Sequence, residues 1–314
     1  MKILYVGGYP RSGSTLLSRV LGEHPGSFCA GETRYLWERA LMHGVDCGCG
    51  VPFAACPLWG EVGERAFGGW ERVDAAVLTE LDRRTNLPQT LPLHLAPRAG
   101  RAMGRMFDEY VPVLARLYEA IRTVAGARVV VEMSKDPTFA CLLRRIPGAE
   151  VRVVHLVRDS RAVAYSWTRR RRMPSPIGKQ EFMPRSTPTQ TAVRWSAWNA
   201  GFHALRAAGF PYMKLPYERF VEDPRGALEQ LSAFAGEPLL PPGGRLTDGE
   251  VELGAHHMFS GNPMRAKGGR VAIRRDEEWR EHLEPAAHRR VTALTWPLLL
   301  AYGYELRTAG RAVA

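Results

Sequence analysis

The sequence predicts an α/β fold of the P-loop-type, three-layer kind, with a central, mostly parallel sheet flanked by helices. Three observations predict it. Short runs rich in valine recur along the chain, turn residues follow each run, and each turn leads into apolar residues at helical spacing. Strands separated by helices need crossover connections, which give parallel sheets covered on both faces.

The elements follow in order. Residues 2–8 read as a short buried strand and 14–21 as a helix. The runs 129–132 and 151–157 are two further strands, and 212–215 is a weaker fourth. Residues 98–124 carry a helical pattern in which Pro112 should break or kink the helix. Residues 189–208 form another helix, with Trp195, Trp198 and Phe202 as a core-facing stripe. Glu277, Glu278 and Trp279 begin a last amphipathic helix ending near Tyr302. Two stretches read as irregular: 43–70, and the Gly/Pro-rich 238–275. With no internal repeat and no Ser/Gly-rich linker, the expectation is one domain over residues 1–314.

Composition narrows the function classes. The chain has 314 residues, 45% of them hydrophobic, which rules out a disordered or fibrous protein. No run approaches the roughly 18 apolar residues of a membrane span, and the first residues lack the pattern of a signal peptide, so a cytoplasmic protein is expected. The net charge of +11 suits an anionic ligand, an acidic macromolecule, a membrane surface or nucleic acid. The only lysines are Lys2, Lys135, Lys179, Lys214 and Lys267, and arginine supplies the rest. Arginine suits forked contacts to phosphate and sulfate oxygens. No basic helix with interleaved aromatics speaks for nucleic acid.

Cysteine is sparse: Cys47, Cys49 and Cys56 share one loop, while Cys29 and Cys141 stand alone. Five is no disulfide framework, and a C-x-C pair plus one more cysteine misses the usual zinc spacing. His43 could supply a fourth ligand, but loop closure or plain packing is the expectation. The His256-His257 pair, in a Gly-rich loop with no third ligand, reads as loop packing.

Two motifs carry the chemistry. Gly8-Tyr9-Pro10-Arg11-Ser12-Gly13-Ser14-Thr15 lies between a strand and a helix, where backbone N–H groups converge on an anion. Its glycines and final threonine match the phosphate loop of nucleotide triphosphatases, but Ser14 stands where that loop needs lysine. ATP with magnesium, as in a P-loop kinase or other phosphotransferase, is therefore the alternative rather than the first reading. The second motif is a strand ending in Arg158-Asp159, with Ser166 on the next helix. By itself it could be a helix cap with its ion pair. Paired with the first motif, it suits a ligand phosphorylated at two places.

Together these residues resemble the sulfotransferases that use 3′-phosphoadenosine 5′-phosphosulfate (PAPS). The loop of Gly8 to Thr15 is similar to their 5′-phosphosulfate loop, in the arginine-containing version of Golgi-type enzymes. Arg158 and Ser166 are similar to their 3′-phosphate motif. Locally the likeness is nearest to tyrosylprotein sulfotransferases, in Cys29-Ala30-Gly31-Glu32-Thr33-Arg34. That resemblance implies Glu32 as catalytic base, although Glu32 could merely start a surface helix. It further implies Lys135 near the transferring group, unless that lysine simply pairs with Asp136. By the same resemblance Tyr217 lies near the bound nucleotide, and Arg265 and Lys267 belong to a late segment closing over the 3′-phosphate. The Cys47 to Trp59 loop is not part of the likeness and is assigned only as a lid or acceptor-side element.

The chemistry expected is in-line sulfuryl transfer to an acceptor hydroxyl, on a small molecule, carbohydrate, lipid or peptide. Glu32 takes the proton, while Arg11 and Lys135 meet the developing negative charge. Arg11, Ser12, Gly13, Ser14 and Thr15, with Arg158, Ser166, Tyr217, Arg265 and Lys267, hold the nucleotide. No metal is required for the transfer. The basic run 169–172 at a helix end reads as a solvated face that could also meet an acidic acceptor or the nucleotide.

Overall fold

The computed structural model describes residues 1–95, 101–172, 182–247 and 249–306, with only the backbone at 101–103. In chain order its first half comprises β1 (Lys2–Gly7), α1 (Ser14–Leu21), β2 (Ser27–Gly31), α2 (Pro57–Phe67), α3 (Ala75–Thr85), α4 (Leu91–Leu95), α5 (Arg101–Val124), β3 (Val129–Lys135), α6 (Pro137–Arg144) and β4 (Glu150–Val157). There follow α7 (Ser160–Thr168), α8 (Pro188–Ala207), β5 (Tyr212–Pro216), α9 (Tyr217–Glu222), α10 (Pro224–Ala235), β6 (Leu246–Thr247), β7 (Glu250–Leu253), β8 (Gly269–Ala272), α11 (Trp279–His282) and α12 (Pro285–Tyr302).

Five strands form one parallel sheet in the order β2-β3-β1-β4-β5. Alternation along β1 sets the layers, because successive side chains point to opposite faces. Ile3 and Tyr5 pack with α2, α5 and α6 residues and with Phe202 and Leu205 of α8. Leu4 and Val6 pack with Leu17, Val20 and Leu21 of α1 and with residues of α9 and α10. Each fully buried Leu or Val there contributes about 1.5–3 kcal/mol by leaving water. The expected three-layer α/β fold with a parallel central sheet is the fold observed.

Four differences have physical reasons. The edge strand β2 has the sequence Ser-Phe-Cys-Ala-Gly, with no β-branched residue, so no strand signal marks it. Helix α5 runs through Pro112 rather than ending there. Tyr110, Val111, Leu114, Leu117, Tyr118 and Ile121 bury its inner face, and that packing outweighs the lost hydrogen bond. The expected start of this helix at 98–100 lies outside the described residues. The two stretches read as irregular are partly ordered: α2 lies in the first, and the second holds the antiparallel sheet β6-β7-β8. The last helix is two, because Leu283 and Glu284 are extended before Pro285 restarts it as α12.

All five parallel strands deliver their carboxyl ends to one side of the sheet. β1 is flanked by β3 on one side and β4 on the other, so a crevice opens at its tip, where α/β sheets bind ligands.

Candidate active site

A cavity of about 460 Å³ lies at these strand tips. The loop after β1 contributes Pro10, Arg11, Gly13, Ser14 and Thr15; Glu32 follows β2 and Lys135 ends β3; Phe259 to Asn262 and Arg265 close it from the late segment.

The β1 loop is shaped for an anion. Gly13 caps α1 at φ +91 with no side-chain cap, so the first N–H groups of the helix are not taken by a capping side chain. A Cβ at Gly13 would stand 2.5 Å from the Tyr217 ring, so the loop can lie flat on that ring only as glycine. Arg11 reaches the cavity wall, its guanidinium 5.0 Å from the Trp167 ring centroid. Burial, helped by nearby Arg171, pulls its pKa down to about 10, the mark of a cation short of negative partners. Ser12 turns inward, its hydroxyl donating to the Tyr9 carbonyl at 2.7 Å, which leaves Ser12 only its backbone to offer. Ser14 and Thr15 stand at the helix start within the wall.

Glu32 does not start a surface helix. It is 7% exposed, at the end of the sheet, before the short turn Thr33–Tyr35. One carboxylate oxygen pairs with Lys135 Nζ. The other accepts from Arg39 Nη1 at 3.1 Å and from the Ser260 hydroxyl at 2.8 Å. Burial opposes its charge, but Lys135 and Arg39 outweigh burial, so the pKa lies below the usual glutamate value and the group is ionised at neutral pH. Asp136, the neighbour that could have occupied Lys135, pairs instead with Arg34 at 2.5 Å. Arg39 rides on a π-helical turn, Leu36–Met42, of the kind that often marks functional sites.

The two strand tips are tied together from below by Glu132, which is fully buried. It accepts from the Ser134 N–H at 2.7 Å, the Tyr118 hydroxyl at 2.5 Å and the Thr33 and Ser134 hydroxyls. Thr33 follows Glu32 and Ser134 precedes Lys135, so one carboxylate sets the relative height of both. Arg11 (φ +76) and Lys135 (φ +73) are the only non-glycine residues in left-handed backbone among the described residues. Such conformations cost about 1–3 kcal/mol each and cluster at functional sites. The Trp198 indole N–H donates to the Lys135 carbonyl at 2.8 Å and helps hold that geometry. Trp195 and Phe202 of the α8 stripe are core as expected, whereas Trp198 is half-buried and lines the cavity.

The second anion motif divides. Asp159 caps α7 and pairs with Arg161 at 2.6 Å, so the cap reading holds for the aspartate. Arg158 turns away to the Arg11 carbonyl at 3.2 Å, to Asp276 at 3.2 Å and over the Tyr217 ring at 4.5 Å. Its Nε is buried and unpartnered. An orphaned guanidinium donor whose fork already holds one carboxylate fits an oxyanion of a ligand. Ser166 is buried on α7 and, like Arg158, is not in the cavity wall. Of the run 169–172, Arg169 pairs with Glu278 at 2.5 Å, while Arg171 is partly buried beside Arg158 and Asp276.

Arg265 and Lys267 separate. Arg265 lines the cavity and donates to the Asp46 carbonyl at 3.2 Å. Lys267 is exposed and outside the cavity wall; its carbonyl, with those of Arg265 and Gly254, accepts from Arg19 of α1. Sequence reasoning missed Arg19, Arg39, Glu132 and Ser260. Only Arg19 left a signal, as an arginine on the inward face of an apolar helix.

Residues 4–45 match a family model, and they run from within β1 through the anion loop, α1 and β2 to Glu32 and Arg39. That model describes the sulfotransferase family. The sulfotransferase domain of the Synechococcus PCC 7002 olefin synthase has a similar fold, with TM-score 0.55 at 22% identity over 98% of this chain and 96% of that one. A sulfotransferase domain from the curacin biosynthetic pathway aligns with TM-score 0.49 and 17% identity, over 97% and 98% of the two chains. A Mycobacterium avium sulfotransferase aligns with TM-score 0.45 and 15% identity, over 98% of this chain and 78% of that chain. Among curated proteins none matches. The family match is confined to residues 4–45, and the Synechococcus domain, at 22% identity, is a likeness of fold. No helix among the described residues is long and apolar enough to cross a membrane.

Proposed function

We propose that this chain is a PAPS-dependent sulfotransferase that moves a sulfuryl group onto an acceptor hydroxyl. The observation that carries the reading is the Glu32–Lys135 pair, buried in the cavity wall that the N-terminus of α1 and Arg11 also form. A base and two cations around an anion loop are what in-line sulfuryl transfer needs.

In the proposed reaction the acceptor oxygen bonds to sulfur as the bond from sulfur to the 5′-phosphate oxygen breaks. The acceptor proton passes to Glu32, and adenosine 3′,5′-bisphosphate leaves. Glu32 begins as a weak base because Lys135 and Arg39 hold it ionised. Negative charge arriving on the donor side competes for Lys135, which frees the carboxylate and raises its basicity when the proton must move. The N–H groups of Gly13, Ser14 and Thr15, with Arg11, receive the 5′ end. Arg158 takes the second phosphate, assisted by Tyr217 beneath it and by Ser166, with Arg265 closing from the late segment.

The apolar part of the wall, Tyr35, Val45, Trp167, Met183, Trp198 and Phe259, supports an acceptor with an apolar or aromatic body. The chain's five cysteines form no disulfide, and a reducing, cytoplasmic setting is part of the proposal. The phosphotransferase reading gains nothing from the loop, where Ser14 stands in place of the phosphate-binding lysine.

Transfer of labelled sulfate from PAPS to a panel of phenols and alcohols tests the proposal. Turnover in the wild type, lost in Glu32→Gln with adenosine 3′,5′-bisphosphate still bound, is expected. A Glu32→Gln enzyme of full activity would contradict it.

A further inference from the structure

The loop that the catalytic reading leaves unused holds three cysteines, and the fold brings a histidine to them. Cys47, Cys49, Cys56 and His257 offer ligand atoms that all lie within 4.8 Å of one another. The histidine is not His43, the neighbour in sequence, but His257, which arrives from the late segment some two hundred residues on. The third-ligand objection to the His256-His257 pair is thereby removed.

Three of the six separations among these ligand atoms are close to the edges of one tetrahedron. Zn–S bonds of about 2.3 Å and Zn–N bonds of about 2.0–2.1 Å put tetrahedral edges at about 3.8 Å between sulfurs and about 3.6 Å between sulfur and nitrogen. The Cys49 and Cys56 sulfurs are 3.7 Å apart. Cys47 and Cys56 sulfurs lie 3.6 and 3.3 Å from His257 Nδ1. A disulfide needs sulfurs about 2.05 Å apart and would consume two thiols and strand the third.

The backbone supports the same reading. The Cys47 N–H donates to the Val51 carbonyl at 2.9 Å and the Gly50 N–H returns to the Cys47 carbonyl at 3.0 Å, which folds the C-x-C into a tight turn. A Cβ at Gly48 would stand 2.0 Å from the His256 ring, so only glycine lets that turn approach the late segment. Cys56 is the N-cap of α2, which anchors the end of the loop to that helix. The Trp59 indole N–H donates to the His257 carbonyl at 2.7 Å, and the rings of Phe53, Trp59 and Phe259 pack against one another.

We propose that Cys47, Cys49, Cys56 and His257 bind one zinc ion in a closed, structural Cys₃His site. Three thiolates and an imidazole are a soft, four-ligand set that fills the tetrahedron, with no position left for substrate. On binding, the three thiols release their protons and the neutral imidazole donates through Nδ1, so the loaded centre carries one net negative charge. Its role is mechanical. His257 stands three residues before Ser260, whose hydroxyl donates to Glu32, and in the segment that carries Arg265 into the cavity wall. Zinc would pin that segment to the Cys47–Cys56 loop and so hold the ceiling of the cavity over the base. The proposal does not depend on which nucleotide the cavity takes.

The test is metal analysis of the full chain purified under reducing agent. One equivalent of zinc that survives dialysis is expected, with loss of that metal in Cys49→Ser and in His257→Ala. Because those variants can also misfold, cobalt substitution of the wild type supplies an independent readout. Absorption bands of tetrahedral Co(II) with thiolate-to-metal charge transfer are expected. A folded, reduced wild type that takes up neither zinc nor cobalt would overturn the proposal. So would octahedral cobalt bands, or a Cys49–Cys56 disulfide in the folded protein found by intact-mass and peptide mapping.

Discussion

Glu32 meets two cations and a hydroxyl before any acceptor arrives, and that arrangement governs how it can act as a base. Lys135 and Arg39 overcome the burial that would otherwise raise its pKa. In the free enzyme the acid limb of kcat/KM should therefore fall below the ordinary glutamate value of about 4.3. Lys135→Ala removes the larger of the two opposing charges and leaves burial in place, so the limb should move to higher pH. The same variant should lower kcat by about 10²–10³, the usual loss when one charge-stabilising donor is removed. A pH profile that loses rate without shifting its acid limb would separate Lys135 from Glu32. Arg158 makes a second prediction at this scale. Asp276 now shares its guanidinium at 3.2 Å, so Asp276→Asn should tighten binding of adenosine 3′,5′-bisphosphate several-fold by calorimetry. Weaker binding in that variant would mean that Asp276 positions Arg158 rather than competing for it.

Among the elements, β2 and β3 matter most, because their tips carry the proposed base, Glu32, and its ion-pair partner Lys135. Glu132 joins them through Thr33, Ser134 and Tyr118. Glu132→Ala leaves those donors unsatisfied and opens a cavity, and should cost about 2–4 kcal/mol in denaturant unfolding. A loss below about 0.5 kcal/mol would show that the strand tips hold without it. The sequence read unevenly at this scale. β1, β3 and β4 were legible because short apolar runs, valine-rich in β3 and β4, ended in turn residues, and Arg11, Glu32 and Lys135 were proposed because each follows such a run or resembles a family motif. β2 was not legible, since five residues without β-branching owe their strand state to pairing with β3. Glu132 was hidden for a different reason: one carboxylate in a valine run has no local signature, and its partners lie on three elements. His257 joined the cysteine loop only through the tertiary fold, which no spacing rule spans.

Over the whole molecule, a parallel sheet with β1 between β3 and β4 places five strand tips around one crevice. The anion loop, the Glu32–Lys135 pair and Arg158 occupy adjacent tips, so a ligand with phosphates at two positions could be gripped at both while its reacting end meets the base. Burial and the nearness of other arginines lower the pKa values of Arg11 and Arg171, so an anion bound beside them would relieve both. Calorimetric titration with adenosine 3′,5′-bisphosphate, with ATP–magnesium as comparison, tests this most directly. Tight binding of the bisphosphate and none of ATP is the predicted result. A preference for ATP–magnesium would contradict the account and place the protein among phosphotransferases.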